Sequence, residues 1–217
     1  MKTVIICAGG PEEERIPLAP FIDSETRFIG ADRGTMQLLD AGIIPTAAVG
    51  DFDSVSEEEM KKIVDTNCFI ERRPAEKDET DTELALDLAF SWEPEKIILT
   101  GVTGGRLDHM FSALQLLVRH LDGQKKTQLL IANQQNELML LQKGTHQVQR
   151  DMKFPYLSFF SISEAVQGIS ITGVKYEVHS EDIDLGDTRF TSNEILKASC
   201  TISIQSGICL MVRSSDS

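Results

Sequence analysis

The sequence predicts an α/β N-terminal domain, a Rossmann-like open sheet, followed by a small all-β sandwich domain. Three observations lead there. Short apolar runs alternate with amphipathic stretches up to about residue 133, the pattern of a sheet layered with helices. Beyond that point only short strand-like runs remain, broken by Gly and polar turns. Acidic motifs recur in the first part where a strand hands over to a helix, the edge at which open α/β sheets bind ligands.

In chain order, residues 3–8, 27–31, 47–49, 96–100 and 128–132 read as strands of the first domain. A helix begins after Arg33 and is closed by Gly42 and Pro45. Ser56 with Glu59, and Thr80 with Glu83, fit the S/T-x-x-E capping box at the starts of two further helices, the second running over residues 81–90. A last helix follows Asp108, with Phe111, Leu114, Val118 and Leu121 on one stripe suited to packing against a sheet. In the second part, residues 137–141, 157–162, 169–171, 198–204 and 208–212 read as strands, with no helix among them. The boundary falls at Gln134-Gln135-Asn136, giving domains 1–134 and 135–217.

The chain has 21 Lys+Arg against 34 Asp+Glu and a formal net charge of −13, which argues against a nucleic-acid partner, since that function needs a concentrated basic face. A small anion held through a metal is compatible with this charge, because local donors outweigh the global balance at close range. The four cysteines, Cys7, Cys68, Cys200 and Cys209, form no C-x-x-C pair and read as buried free thiols. The N-terminal apolar stretch is short and reads as a first strand, and no run approaches the ~20 apolar residues of a membrane span. A soluble, cytoplasmic protein is expected.

Gly50-Asp51-Phe52-Asp53-Ser54 follows a strand and precedes a helix. Two carboxylates one residue apart on such a loop can converge on a hard cation, and the same residues also suit an ordinary turn. Lys77-Asp78-Glu79-Thr80-Asp81 is a second acidic cluster, though acids before and within a first turn are favoured by the helix dipole alone. Gly101 to His109 joins another strand to a helix. Its glycines permit backbone N–H groups to approach an anion, Arg106 offers a forked donor, Asp108 a carboxylate and His109 a donor or acceptor. Asp32-Arg33-Gly34 is the fourth junction. So many acids gathered at one sheet edge would repel one another, and a divalent cation is the economical reason for the arrangement.

These motifs resemble the thiamine pyrophosphokinases of the bacterial type. The resemblance is carried by A-D-R-G at 31–34, G-D-F-D-S at 50–54, K-D-E-T-D at 77–81, G-G-R-L-D-H at 104–109 and T-S-N-E at 191–194, in order along most of the chain. Gly173-Val174-Lys175-Tyr176 and Ser206-Gly207 also look like the family's C-terminal part. The resemblance implies an α/β catalytic domain followed by a β-sandwich, a homodimer with the active site at the subunit interface, and Mg²⁺-dependent transfer of diphosphate from ATP to the thiamine hydroxyl, giving thiamine diphosphate and AMP. It implies Asp51 and Asp53 as metal ligands, with Asp78 or Asp81 completing the acidic site. Asp108 would handle metal, substrate or a proton. Lys77 and Arg106 would stabilise charge on the phosphates, and Asp32, Gly34, Gly104, Gly105 and His109 would line the nucleotide pocket. Ser192 and Asn193 would bind thiamine.

Three other readings use the same residues: a pyrophosphokinase for a pterin alcohol, a metal-dependent phosphoesterase, and a nucleotide or thiamine sensor without turnover. Trp92 reads as packing, and His120, His146 and His179 lack metal-ligand spacing. No Ser sits in a G-x-S-x-G setting, so no catalytic Ser is indicated.

Overall fold

The computed structural model describes residues 1–72, 79–121 and 127–216. The chain divides into two compact units, Met1–Gln134 and Gln135–Ser217.

The first unit runs β1 (Thr3–Cys7), β2 (Thr26–Ala31), α1 (Gly34–Asp40), β3 (Ala47–Gly50), α2 (Glu57–Asp65), β4 (Phe69–Arg72), α3 (Asp81–Ser91), β5 (Lys96–Thr100), α4 (Leu107–Arg119) and β6 (Gln128–Ala132). Its strands are all parallel, in the order β6-β5-β1-β2-β3-β4. The central strands are apolar throughout because both faces are covered: Val4, Ile5, Ile6, Ile97 and Leu99 are buried. Each such side chain contributes on the order of 1.5–3 kcal/mol of transfer free energy. Right-handed crossovers put α1 and α2 on one face and α3 and α4 on the other. Met36 of α1 and Ile63 of α2 accordingly share a core cluster, while Phe90 of α3 stacks on His120 just past α4 at 4.8 Å.

The helix ends follow from local chemistry. At the close of α1, Gly42 takes φ +73°, its N–H donates to the Leu39 carbonyl and that of Ile43 to the Leu38 carbonyl, the Schellman pattern that ends a helix with glycine. At α2 both arms of the capping box form, Glu59 N–H to Ser56 Oγ at 3.2 Å and Ser56 N–H to Glu59 Oε2 at 2.9 Å. At α3 only one arm forms, Glu83 N–H to Thr80 Oγ1 at 3.2 Å. The Glu83 carboxylate is instead buried and paired with Arg119 of α4 at 2.5 Å, so the second box expected from sequence is half a box. The stripe expected on α4 is also shifted: Ala113, Leu116 and Leu117 are buried and Phe111 is 58% exposed.

The second unit is β-sandwich-like. Strands β7 (Asn136–Leu141), β8 (Gly144–Gln149), β9 (Tyr156–Ser161), β10 (Ala165–Thr172), β11 (Val178–Asp184), β12 (Asn193–Glu194), β13 (Ser199–Ile204) and β14 (Cys209–Ser214) form two antiparallel arrays, β12-β9-β14-β7 and β11-β10-β13-β8. Alternate residues enter one core, with Phe159 and Met211 from the first array and Ile171 and Ile202 from the second. Three strands absent from the sequence reading, β8, β11 and β12, are polar or very short; β11 buries only Val178 and Ile183. Cys7, Cys200 and Cys209 are buried, Cys68 is half-buried, and all four are free thiols. Among the described residues, no helix is long and apolar enough to cross a membrane.

Candidate active site

The strand order of the first unit reverses between β1 and β5, so the loops leaving their carboxyl ends part and open a crevice. A cleft of about 720 Å³ lies there. It is lined by residues 8–12 after β1, 31–33 after β2, Asp51 and Ser54 after β3, residues 79–82 at the start of α3, and the loop after β5 with Arg106 and His109.

Three carboxylates converge in the cleft region. One ligand oxygen from each of Asp32, Asp51 and Asp53 lies within 4.8 Å of the others. The convergence has a local cause. Phe52 takes φ +60°, a costly backbone conformation for a bulky residue, and its ring is buried beside Met36, Ala48 and Ile63. Anchoring that ring inward turns the loop sharply between the two flanking acids. Asp32 also sits at positive φ, +47°, with its N–H bonded to the Val49 carbonyl at 2.8 Å, so the ends of β2 and β3 are tied together. Gly50 allows this approach, because a Cβ there would lie 3.2 Å from Asp32 Cα.

The polar bonds of the cluster leave one buried carboxylate oxygen without a partner among the described residues. Ser54 Oγ donates to Asp32 Oδ2 at 2.6 Å, Asp53 N–H donates to Asp51 Oδ1 at 3.0 Å, and Arg33 Nη1 donates to the Ser54 carbonyl at 3.1 Å. Asp32 Oδ1 is buried and has no hydrogen-bond partner among the described residues. A buried, unpartnered carboxylate oxygen beside two more carboxylates is costly without a cation and natural with one. An all-oxygen donor set of this kind suits a hard divalent ion. Sequence reasoning assigned Asp32 to the nucleotide pocket; its position beside Asp51 and Asp53 was signalled only by its strand-to-helix junction.

The remaining predicted residues divide by position. Asp81, in the first turn of α3, lines the cleft but is not a member of the three-carboxylate group. Lys77 and Asp78 lie outside the described residues. Arg106 lines the cleft and donates a fork to Asp108, Nε to Oδ1 at 3.1 Å and Nη2 to Oδ2 at 2.5 Å. That hydrogen-bonded guanidinium holds the Asp108 carboxyl below the usual carboxylate range, and both groups are exposed. Gly105 and His109 line the cleft. Gly34 and Gly104 act through close approach: a Cβ on Gly34 would lie 1.9 Å from the Cys7 carbonyl oxygen, and one on Gly104 2.2 Å from Glu14 Cγ.

In the second unit, Ser192 is exposed at φ +57° with its N–H bonded to Ser158 Oγ at 3.0 Å. Asn193 is buried. Its Oδ1 accepts from the N–H groups of Tyr176 at 3.0 Å and Glu194 at 2.9 Å, and its Nδ2 donates to the Tyr176 carbonyl at 2.8 Å. The side chain of Asn193 thus shapes the 175–176 turn. Arg33, part of the Asp32-Arg33-Gly34 junction but given no role from sequence, also lines the cleft, as does Gln37, which nothing in its local pattern marks.

Comparison with known proteins bears on this arrangement. Residues 18–131 match the family model described as thiamin pyrophosphokinase, catalytic domain, and residues 145–209 match that described as thiamin pyrophosphokinase, vitamin B1 binding domain. The thiamine pyrophosphokinase of Bacillus subtilis (strain 168) is 40% identical over 216 residues, covering 100% of each chain. A crystal structure of thiamine pyrophosphokinase from Bacillus subtilis superposes with a TM-score of 0.93 at 38% identity over 100% of both chains. The thiamin pyrophosphokinase of Geobacillus thermodenitrificans gives 0.90 at 39% identity, covering 100% of this chain and 99% of the other.

Proposed function

Given that this chain belongs to the thiamin pyrophosphokinase family and transfers diphosphate from ATP to thiamine, we propose that the cleft at the β1/β5 reversal performs that transfer with Mg²⁺. The observation that carries the proposal is the convergence of Asp32, Asp51 and Asp53, with one buried carboxylate oxygen left unpartnered. Asp32, Asp51 and Asp53 would hold the ion, with Asp81 or Asp78 completing the acidic site. Bound there, Mg²⁺ supplies positive charge to the phosphate oxygens of ATP.

The chain's own residues then act by position and charge. Lys77 and Arg106 donate to phosphate oxygens, and the glycine loops leave room for the triphosphate. The thiamine oxygen forms its bond to the β-phosphorus as the bond from that phosphorus to the α–β bridging oxygen breaks, and AMP leaves with the electron pair. The hydroxyl proton passes to an ionised aspartate, the role for which Asp108, held ionised by Arg106 next to the cleft-lining His109, is a candidate. On the acceptor side, the Ser192 hydroxyl reaches thiamine, and Asn193 supports the turn that shapes its site. We extend the reading to a homodimer with its active site at the subunit interface, and to a cytoplasmic protein, which four free cysteines suit. The Rossmann-like description of the first unit is supported by its parallel order and its crevice at the strand reversal.

The test is incubation of the purified protein with ATP, Mg²⁺ and thiamine, following AMP and thiamine diphosphate together. Matched formation of both products, dependent on thiamine, is expected. Release of ADP or phosphate, or product only with a pterin alcohol, would overturn the reading.

A further inference from the structure

Beneath the loop after β1 runs a part-buried polar chain that the transfer chemistry does not use. Arg15 is buried, and its Nη1 donates to both the carbonyl oxygen and Oε1 of Gln37, at 3.3 and 3.4 Å, while Nη2 reaches Glu12 Oε1 at 3.3 Å. A guanidinium only donates, so the Gln37 amide must turn its oxygen to Arg15 and its nitrogen away. Gln37 Nε2 then donates to the Gly10 carbonyl at 2.7 Å. The Cys7 thiol, 3.7 Å from the same Oε1, reinforces that sense.

The other side of Gly10 is fixed as well. Its N–H donates to the Gly101 carbonyl at 2.8 Å, which joins the loop after β1 to the loop after β5. A Cβ on Gly10 would lie 2.3 Å from the Gly101 oxygen, and one on Gly101 2.3 Å from the Ala8 oxygen, so the two loops approach closely where only glycine fits. Gln37, Gly9, Gly10 and Gly101 all line the cleft.

We propose that Gln37, oriented by Arg15, is a positioning residue that sets the Gly9-Gly10-Pro11 loop to receive the nucleotide. The proposal rests on the functional reading above for the identity of that nucleotide. Gln37 is not among the three converging carboxylates and acts on the loop through Gly10, so its effect falls on nucleotide binding and not on the transfer step.

Gln37→Glu separates the two bonds, because a carboxylate still accepts from Arg15 but cannot donate to the Gly10 carbonyl. Losing one such bond predicts a rise of ~10-fold in KM for ATP with kcat within about twofold of wild type. KM for thiamine stays unchanged. Arg15→Met should raise KM for ATP in the same direction, and the double variant should add little to either, as expected of residues acting as one device. If Gln37→Glu does not fold, Gln37→Met removes both bonds at similar length and takes its place. A folded variant with an unchanged KM for ATP would overturn the proposal, as would parallel losses for both substrates that track melting temperature. Wild-type protein that makes no thiamine diphosphate would sink the functional reading instead. The loop assignment would then be decided by calorimetric ATP affinity of wild type and Gln37→Glu: a weaker variant supports it and equal affinities overturn it.

Discussion

Ser54 Oγ donates to Asp32 Oδ2 at 2.6 Å, tying the loop after β3 to the end of β2 and leaving Oδ1 of the same carboxylate buried without a partner. The bond fixes which oxygen faces its neighbours and which is left for a cation. Ser54→Ala should therefore raise the Mg²⁺ concentration needed for half-maximal turnover by ~10-fold, the scale seen when a supporting partner of a metal ligand is removed. A titration of activity against Mg²⁺ checks this, and kcat at saturating metal should recover most of its wild-type value.

Asp53→Asn removes a carboxylate from an exposed loop position. Turnover should fall by ~100-fold or more, at least what loss of an outer partner of a metal site costs. Stability should hold or rise slightly, because one of three mutually repelling charges is gone. Steady-state kinetics and a urea midpoint measured on the same preparation check both halves. Normal turnover in a folded variant would contradict the ligand role.

Glu83 and Arg119 join α3 to α4, and Glu83 is 9% exposed at the side chain against 64% for Arg119. Arg119→Ala strands a buried carboxylate and should cost about 1–3 kcal/mol of stability. Glu83→Gln, which removes the charge itself, should cost less. Chemical denaturation of the two variants ranks them.

Burial raises the Cys7 thiol to about 11 and the Cys209 thiol to about 12. Both stay neutral where an unfolded thiol, near pKa ~8.5, begins to ionise. Their contribution to stability is thus complete below that value and is lost as pH rises towards the folded values. At pH 8 a thiolate-seeking reagent should modify half-buried Cys68 and leave Cys7, Cys200 and Cys209 until the protein unfolds, as mass spectrometry of the labelled peptides would show.

The parts of this molecule legible in its sequence are those whose burial is uniform or strictly alternating. β1 and β5 are covered on both faces and read as unbroken apolar runs, and β13 alternates inward and outward along its length. β4 escaped because it is an edge strand with Phe69 57% exposed and charged residues after it, and β11 because it is acidic and exposed over most of its length. The acids of the site were legible as types at strand-to-helix junctions. That Asp51 and Asp53 meet was legible from their spacing; that Asp32 joins them was not, since it depends on the positive φ of Phe52 and Asp32, set by a ring packed against α1 and α2 and by a bond between neighbouring strands. Glu83 shows the same limit: its spacing from Thr80 fits a cap, and tertiary pairing with Arg119 takes the carboxylate elsewhere.

The central claim is that Asp32 acts with Asp51 and Asp53 as one cation site. Binding of Mn²⁺, as a spectroscopically visible substitute for Mg²⁺, to wild type and Asp32→Asn in the presence of a non-hydrolysable ATP analogue tests it most directly. The account predicts a single tight site in wild type and an affinity lower by ~10-fold or more in the variant, since a charged ligand is lost. Equal Mn²⁺ affinity in two equally folded proteins would contradict it.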